Sequence, residues 1–145
     1  MQVKELQYVK LMWLPTLQKS LLVMENESVF TDPKLTHQIT YHLDLATWYN
    51  HFRILYKSWL IGESEEIFII QSNINFRIIS KIEKLNQKLK GVKLFYWFDV
   101  DRSQKGYDHF CWSHCPLSDA PLIELKKMHL NNRFISPNHP VVFPG

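Results

Sequence analysis

Between Leu45 and Trp59, the residues Leu45, Trp48, Tyr49, Phe52, Leu55, Tyr56 and Trp59 recur at three- and four-residue spacing. That spacing lays them in one broad stripe along an α-helix, and so wide an apolar stripe must be covered by a second layer. Asp44 stands where a capping acceptor is needed, and Gly62 where a left-handed stop belongs. The pattern predicts a helix over 45–60 that buries Trp48, Phe52, Leu55 and Trp59 against a sheet.

The rest of the chain is read around that helix. Val3, Leu6, Val9, Met12 and Trp13 are spaced as in a helix that Pro15 ends. Asp32 followed by Pro33 marks another helix start. The run Glu66–Gln71, rich in Ile and Phe, reads as a buried strand. Asn73 then caps a helix to about Lys90, with Phe76, Ile79, Ile82, Leu85 and Leu89 inward and Gly91 at its end. Val92 to Val100 alternates as a strand, with Val92, Leu94, Tyr96, Phe98 and Val100 on one face. Asp101 to Gly106 is a turn, and Tyr107 to Ser113 the second strand of a hairpin over 92–113. Leu122 to Leu130 reads as a last helix, and Pro137, Pro140 and Pro144 give an extended end. The expected class is α+β: a small antiparallel sheet, similar to half of a ferredoxin-like fold, packed with amphipathic helices.

At 145 residues with 46% hydrophobic content, the chain suits one globular domain, residues 1–145. An aromatic share of 14% serves either a core or a binding surface. No stretch has the apolar length of a membrane span and no signal-peptide pattern stands at the start, so a cytoplasmic protein with no membrane partner is expected. Its two cysteines, Cys111 and Cys115, are then expected as free thiols.

Three groups of residues carry possible chemistry. Arg77, Lys81, Lys84 and Lys88 fall on one face of the helix after Asn73, and from Arg77 to Lys105 eight Lys and Arg face three acids, Glu83, Asp99 and Asp101. A phosphate backbone is the partner that rewards such a stripe; its plain alternative is a solvated helix face. Lys105 and the hairpin aromatics Trp97, Phe110 and Trp112 extend this candidate surface. His109, Cys111, His114 and Cys115 are metal-ligand types within seven residues, with His129 and His139 downstream. They lack a familiar zinc spacing, and ordinary thiols on a half-buried strand explain them as well. Asp99, Asp101 and Asp108 at the hairpin end suit either a magnesium site or turn chemistry. Nucleophile-elbow, Walker and HExxH motifs are absent, so no catalytic residue and no cofactor is assigned.

Phe68-Ile69-Ile70-Gln71-Ser72-Asn73, Ile79-Ser80-Lys81-Ile82-Glu83-Lys84-Leu85, Phe95-Tyr96-Trp97-Phe98-Asp99 and Tyr107-Asp108-His109-Phe110 resemble the replication-initiator family of filamentous phages and related prophages. The resemblance covers about a third of the chain, residues 67–115. It implies a sheet strand bearing a metal-binding histidine pair and a later tyrosine that attacks DNA. Here Phe110 and Cys111 follow His109, and no tyrosine follows Tyr107. A degenerate relative would keep the sheet and the basic helix as a binding surface. The function expected is therefore a non-catalytic phage or mobile-element protein engaging nucleic acid or a nucleoprotein complex. The alternatives are an inhibitor that binds a host defence protein, as anti-CRISPR proteins do, and a metal-dependent nuclease.

Overall fold

A computed structural model of the chain describes residues 8–13, 21–24, 28–98, 113–125 and 133–144. The strands are β1 (Tyr8–Leu11), β2 (Leu22–Met24), β3 (Lys93–Trp97), β4 (Ile123–Leu125), β5 (Arg133–Ile135) and β6 (Val141–Pro144). The helices are α1 (Pro33–Leu43), α2 (Leu45–Leu60) and α3 (Asn73–Asn86), with a 3₁₀ turn at Glu66–Phe68. The class is α+β. Among the described residues the sheet has six strands in the order β2-β1-β3-β6-β5-β4. β3 is central and runs parallel to β1 and β6; the remaining pairs are antiparallel.

The sheet is thus mixed and wider than the small antiparallel hairpin unit expected for 92–113. The flanks of β3 are taken by β1 and β6. The turn and the second hairpin strand, through residue 112, lie outside the described residues. Alternation along β3 is as anticipated: Leu94, Tyr96 and Phe98 enter the helix-covered core, while Phe95 and Trp97 join Tyr8, Ile135 and Val142 on the other face. Among the described residues, no helix is long and apolar enough to cross a membrane.

Local chemistry accounts for the helix ends. Asp32 accepts from the Lys34 and Leu35 backbone N–H groups, and Pro33 opens α1. Asp44, expected to cap α2, closes α1 instead. It adopts a left-handed conformation (φ 48°), its N–H donates to the Thr40 and Tyr41 carbonyls, and its side chain makes no cap bond to α2. Gly62 (φ 76°) follows α2, and Gly91 (φ 76°) separates α3 from β3. In both, the left-handed backbone suits the residue without a Cβ.

Three expected elements are corrected. The amino-terminal helix is, where described, the strand β1, whose four residues are all buried. Lys10 interrupts its apolar run although both faces are covered, and Val9 and Met12 fall at a helical interval by chance. The buried strand Glu66–Gln71 is a 3₁₀ turn whose carbonyls face a side chain rather than a ladder: Asn75 Nδ2 lies 3.3, 3.1 and 2.8 Å from the carbonyl oxygens of Glu66, Ile67 and Ile69. The last helix begins instead as β4, paired through Ile123 with Ile135 and through Glu124 with Phe134.

α3 starts at Asn73 behind Ser72, whose hydroxyl donates to the Glu66 carbonyl at 2.7 Å rather than capping the helix. Its buried residues are Ile74, Asn75, Ile78, Ile79, Ile82 and Leu85; Phe76, expected inward, is exposed. Asn75 is fully buried, and its Oδ1 accepts from the Tyr96 hydroxyl at 2.5 Å, tying α3 to the central strand. At the other end Asn86 accepts from the Leu94 N–H and donates to its carbonyl, both at 2.9 Å, as a neighbouring strand would.

On α2, Leu45 and Trp48 are buried, and Phe52, Leu55 and Trp59 are half-buried. Trp48 meets Tyr96 of β3 edge-on, with ring centres 6.1 Å apart. Trp13 stacks on Phe52 at 4.9 Å and lies 4.7 Å from Tyr56, and Trp59 meets Phe68 at 5.0 Å. The aromatic surplus is spent largely on this ladder.

Two outcomes follow. Trp48→Ala is expected to cost about 3–5 kcal/mol and Phe52→Ala less, about 1–3, because the second ring is only partly withdrawn from water; equal losses in chemical denaturation would contradict the layer arrangement. Burial holds the Tyr96 hydroxyl far above the usual phenol range. It stays neutral when folded and ionises only in the unfolded chain, so stability falls as pH rises above about 10. Tyr96→Phe should lose about 1–3 kcal/mol at neutral pH, where Asn75 Oδ1 is left unpaired, and should show a shallower alkaline decline.

Candidate nucleic-acid interface

The clamps at Asn75 and Asn86 fix which side of α3 faces water. Arg77, Lys81 and Lys84 lie exposed on that side, and Lys88 is exposed in the turn that follows. At the helical rise the span from Arg77 to Lys84 is about 10 Å. None of the four cations makes an ion pair among the described residues. Glu83, the one acidic residue in α3, lies off the stripe face, with its Oε1 2.7 Å from His139 Nδ1.

Beside the amino-terminal half of this stripe, α2 and α3 enclose a groove of about 230 Å³. α2 contributes Thr47, Trp48 and His51, and Asp44 lies at its start. α3 contributes Asn73, Arg77 and Lys81, with Ile74 and Ile78 as apolar lining. Thr47 and His51 were not singled out from the sequence, because only the packing of α2 on α3 brings them to Arg77 and Lys81.

The other surface candidates are dispersed or lie beyond the described residues. Trp97 is half-buried on the helix-free sheet face, with Lys10 Nζ 4.7 Å and the Arg133 guanidinium carbon 4.9 Å from its ring centre. Two cations thus already occupy its surroundings. Lys105, Phe110 and Trp112 lie outside the described residues, as do Asp99, Asp101 and Asp108.

Of the metal candidates, His109 and Cys111 also lie outside the described residues, as does His129. His114 is exposed and its Nδ1 is 3.0 Å from Ser113 Oγ, whereas the adjacent Cys115 is buried. His139 is engaged with Glu83 in a second groove, of about 320 Å³, which Lys93 and Ser136 also line. Among the described residues, no three His, Cys, Asp or Glu side chains converge as a metal site.

Cys115 is a free thiol. Burial raises its pKa, but hydrogen bonding with Ser136 and with the backbone at Leu117 and Ser118 outweighs that, and the thiol sits below its ordinary value. Its N–H donates to the Ala120 carbonyl at 2.8 Å. A buried thiol reacts only as fast as it is exposed. Cys115 should therefore resist alkylation in the native protein and react fully in denaturant, as peptide mass mapping would show; rapid native labelling would contradict this burial.

Comparison with protein-family models, with curated proteins and with solved structures finds no match to this chain.

Proposed function

We propose that this chain is a non-catalytic binding protein, of the kind phages and mobile elements carry, that engages nucleic acid or a nucleoprotein complex through the exposed face of α3. The observation that carries the reading is the set of four exposed cations, Arg77, Lys81, Lys84 and Lys88, without an ion pair among the described residues. Neutralising such a row is what a polyphosphate backbone does, and the counterions released from the backbone supply the free energy. The phage or mobile-element origin rests on the initiator resemblance of residues 67–115. Under this reading the basic face is the retained part, and strand nicking is lost with the second histidine and the later tyrosine.

A protein-binding inhibitor of host defence is the second reading. It is favoured by the exposed apolar residues Ile54, Leu60 and Ile61 on and just beyond α2, which a protein partner would cover.

Lys81→Glu with Lys84→Glu separates the two. Both residues are exposed, so folding stability should change by about 0.5 kcal/mol or less per site. Affinity for nucleic acid should fall strongly, and each lost phosphate contact should flatten the log–log salt dependence by about 0.7–0.9. A wild-type protein with no measurable affinity for DNA or RNA at low salt would overturn the nucleic-acid reading. Loss of binding to a captured host protein in the same double variant would then support the inhibitor.

A further inference from the structure

We infer that the groove between α2 and α3 holds one unstacked nucleotide of a single-stranded nucleic acid. This inference rests on the nucleic-acid reading of α3 and deepens it. Arg77 and Lys81 belong to both features: one turn apart, they form part of the basic stripe and of the groove wall. A strand following the stripe from Lys84 toward Arg77 therefore runs along the groove.

The lining is suited to a whole nucleotide better than to a bare phosphate. The two permanent cations attract the phosphate, and His51 stands on the α2 wall. Trp48, Ile74 and Ile78 are core residues whose edges form the apolar floor of the groove, a lining for which an inorganic anion has no use. Asp44 and Thr47 add acceptors, and Asp44 repels an unaccompanied anion while accepting from a sugar hydroxyl or a base amine. Thr47, His51 and Asp44 are exposed and make no side-chain hydrogen bond among the described residues, so their acceptors and donors are available.

The shape selects the single strand. About 230 Å³ is room for one small unit. In a duplex the bases are stacked inside and present only their edges in the grooves, so a duplex offers the stripe its phosphates but cannot place a base between α2 and α3. Single strands present unstacked bases together with their phosphates.

The test is fluorescence anisotropy at low salt with a labelled single-stranded DNA, the RNA of the same sequence, and the same DNA annealed to its complement. Thr47→Trp fills the groove from an exposed position and adds no charge beside the stripe; His51→Ala removes a groove side chain, likewise without adding charge. Lys84→Glu changes the stripe outside the groove, and thermal melts check that each variant is folded. The expected result is that Thr47→Trp and His51→Ala each weaken single-strand binding about tenfold and duplex binding less than twofold, while Lys84→Glu weakens both. If Lys84→Glu weakens single-strand binding and neither groove variant does, the groove assignment is overturned and the stripe reading stands. If the groove variants weaken duplex and single strand equally, the assignment to one unstacked nucleotide is overturned. If the wild type binds none of the three probes, or Lys84→Glu changes nothing, the stripe reading fails and the groove proposal fails with it.

Discussion

The turn into α3, α3 itself and the central strand are set together by one buried amide. Asn75 has no exposure, and its two ends face different parts of the fold. The NH₂ group serves the carbonyls of Glu66, Ile67 and Ile69, which form the turn leading into α3. The carbonyl oxygen accepts from Tyr96 on the central strand. An amide in a dry interior is tolerated only when such partners are in place, and each of them is costly to leave unpaired. The turn, the helix and β3 are thereby held in one arrangement. Asn86 repeats the device one helix length away on Leu94. Apolar packing by Ile78, Ile79 and Ile82 would hold α3 on the sheet, but it is not directional. The two asparagines add the rotational setting, and that setting decides which side chains reach solvent.

The sheet divides the remaining interior unequally. Val9, Leu11, Leu94, Tyr96, Val141 and Phe143 meet the helices in the larger core. The opposite face carries a smaller apolar cluster of Tyr8, Phe95, Ile135 and Val142, with Trp97 against it. Lys10 is fully buried there, beside the Trp97 ring. A lysine so placed argues that this face was not shaped by apolar burial alone, because a buried ammonium needs compensation from its surroundings.

How far the sequence discloses this fold depends on which force sets each element. Elements with a capping signal or a single covered face are legible: the Asp32–Pro33 start of α1, the stripe of α2 and the span of α3 to within a turn. β3 and the extended β6, covered on both faces, are legible instead from the apolar and aromatic run after Gly91 and from the prolines of the end. β1 is misread because it is only four residues long and its Val9 falls among Val3, Leu6, Met12 and Trp13 at helical spacing. The turn at Glu66–Phe68 is misread because Ile67 and Ile70 face inward at turn spacing while the carbonyls of Glu66, Ile67 and Ile69 are taken by an asparagine six to nine positions later. Asn75 itself reads as a surface residue. Of the candidate site, the stripe on α3 is legible from spacing alone. The groove is not, since it depends on how α2 is set against α3, and neither is the pairing of Glu83 with His139, which stand 56 positions apart.

The buried clamps give the charge pattern of α3 its meaning. Arg77 and Lys81, and Lys81 and Lys84, are like-charged neighbours at helical intervals, each pair unfavourable by about 0.2–0.5 kcal/mol, and Lys88 follows in the turn beyond the helix. Glu83 adjoins this row in sequence but stands on another side of the helix, one and two positions from Lys84 and Lys81, and its carboxylate is oriented to His139. A helix dependent on its surface pairs for stability would not carry such a row. α3 does not depend on them, because its buried face and its two asparagine clamps supply the free energy and the orientation. The repulsion is thus retained in the folded state, in side chains whose backbone is already fixed. A polyanion laid along the row removes the repulsion without having to order the helix, and it finds the cations near their final positions. For such a surface, association is favoured by charge and by preorganisation together.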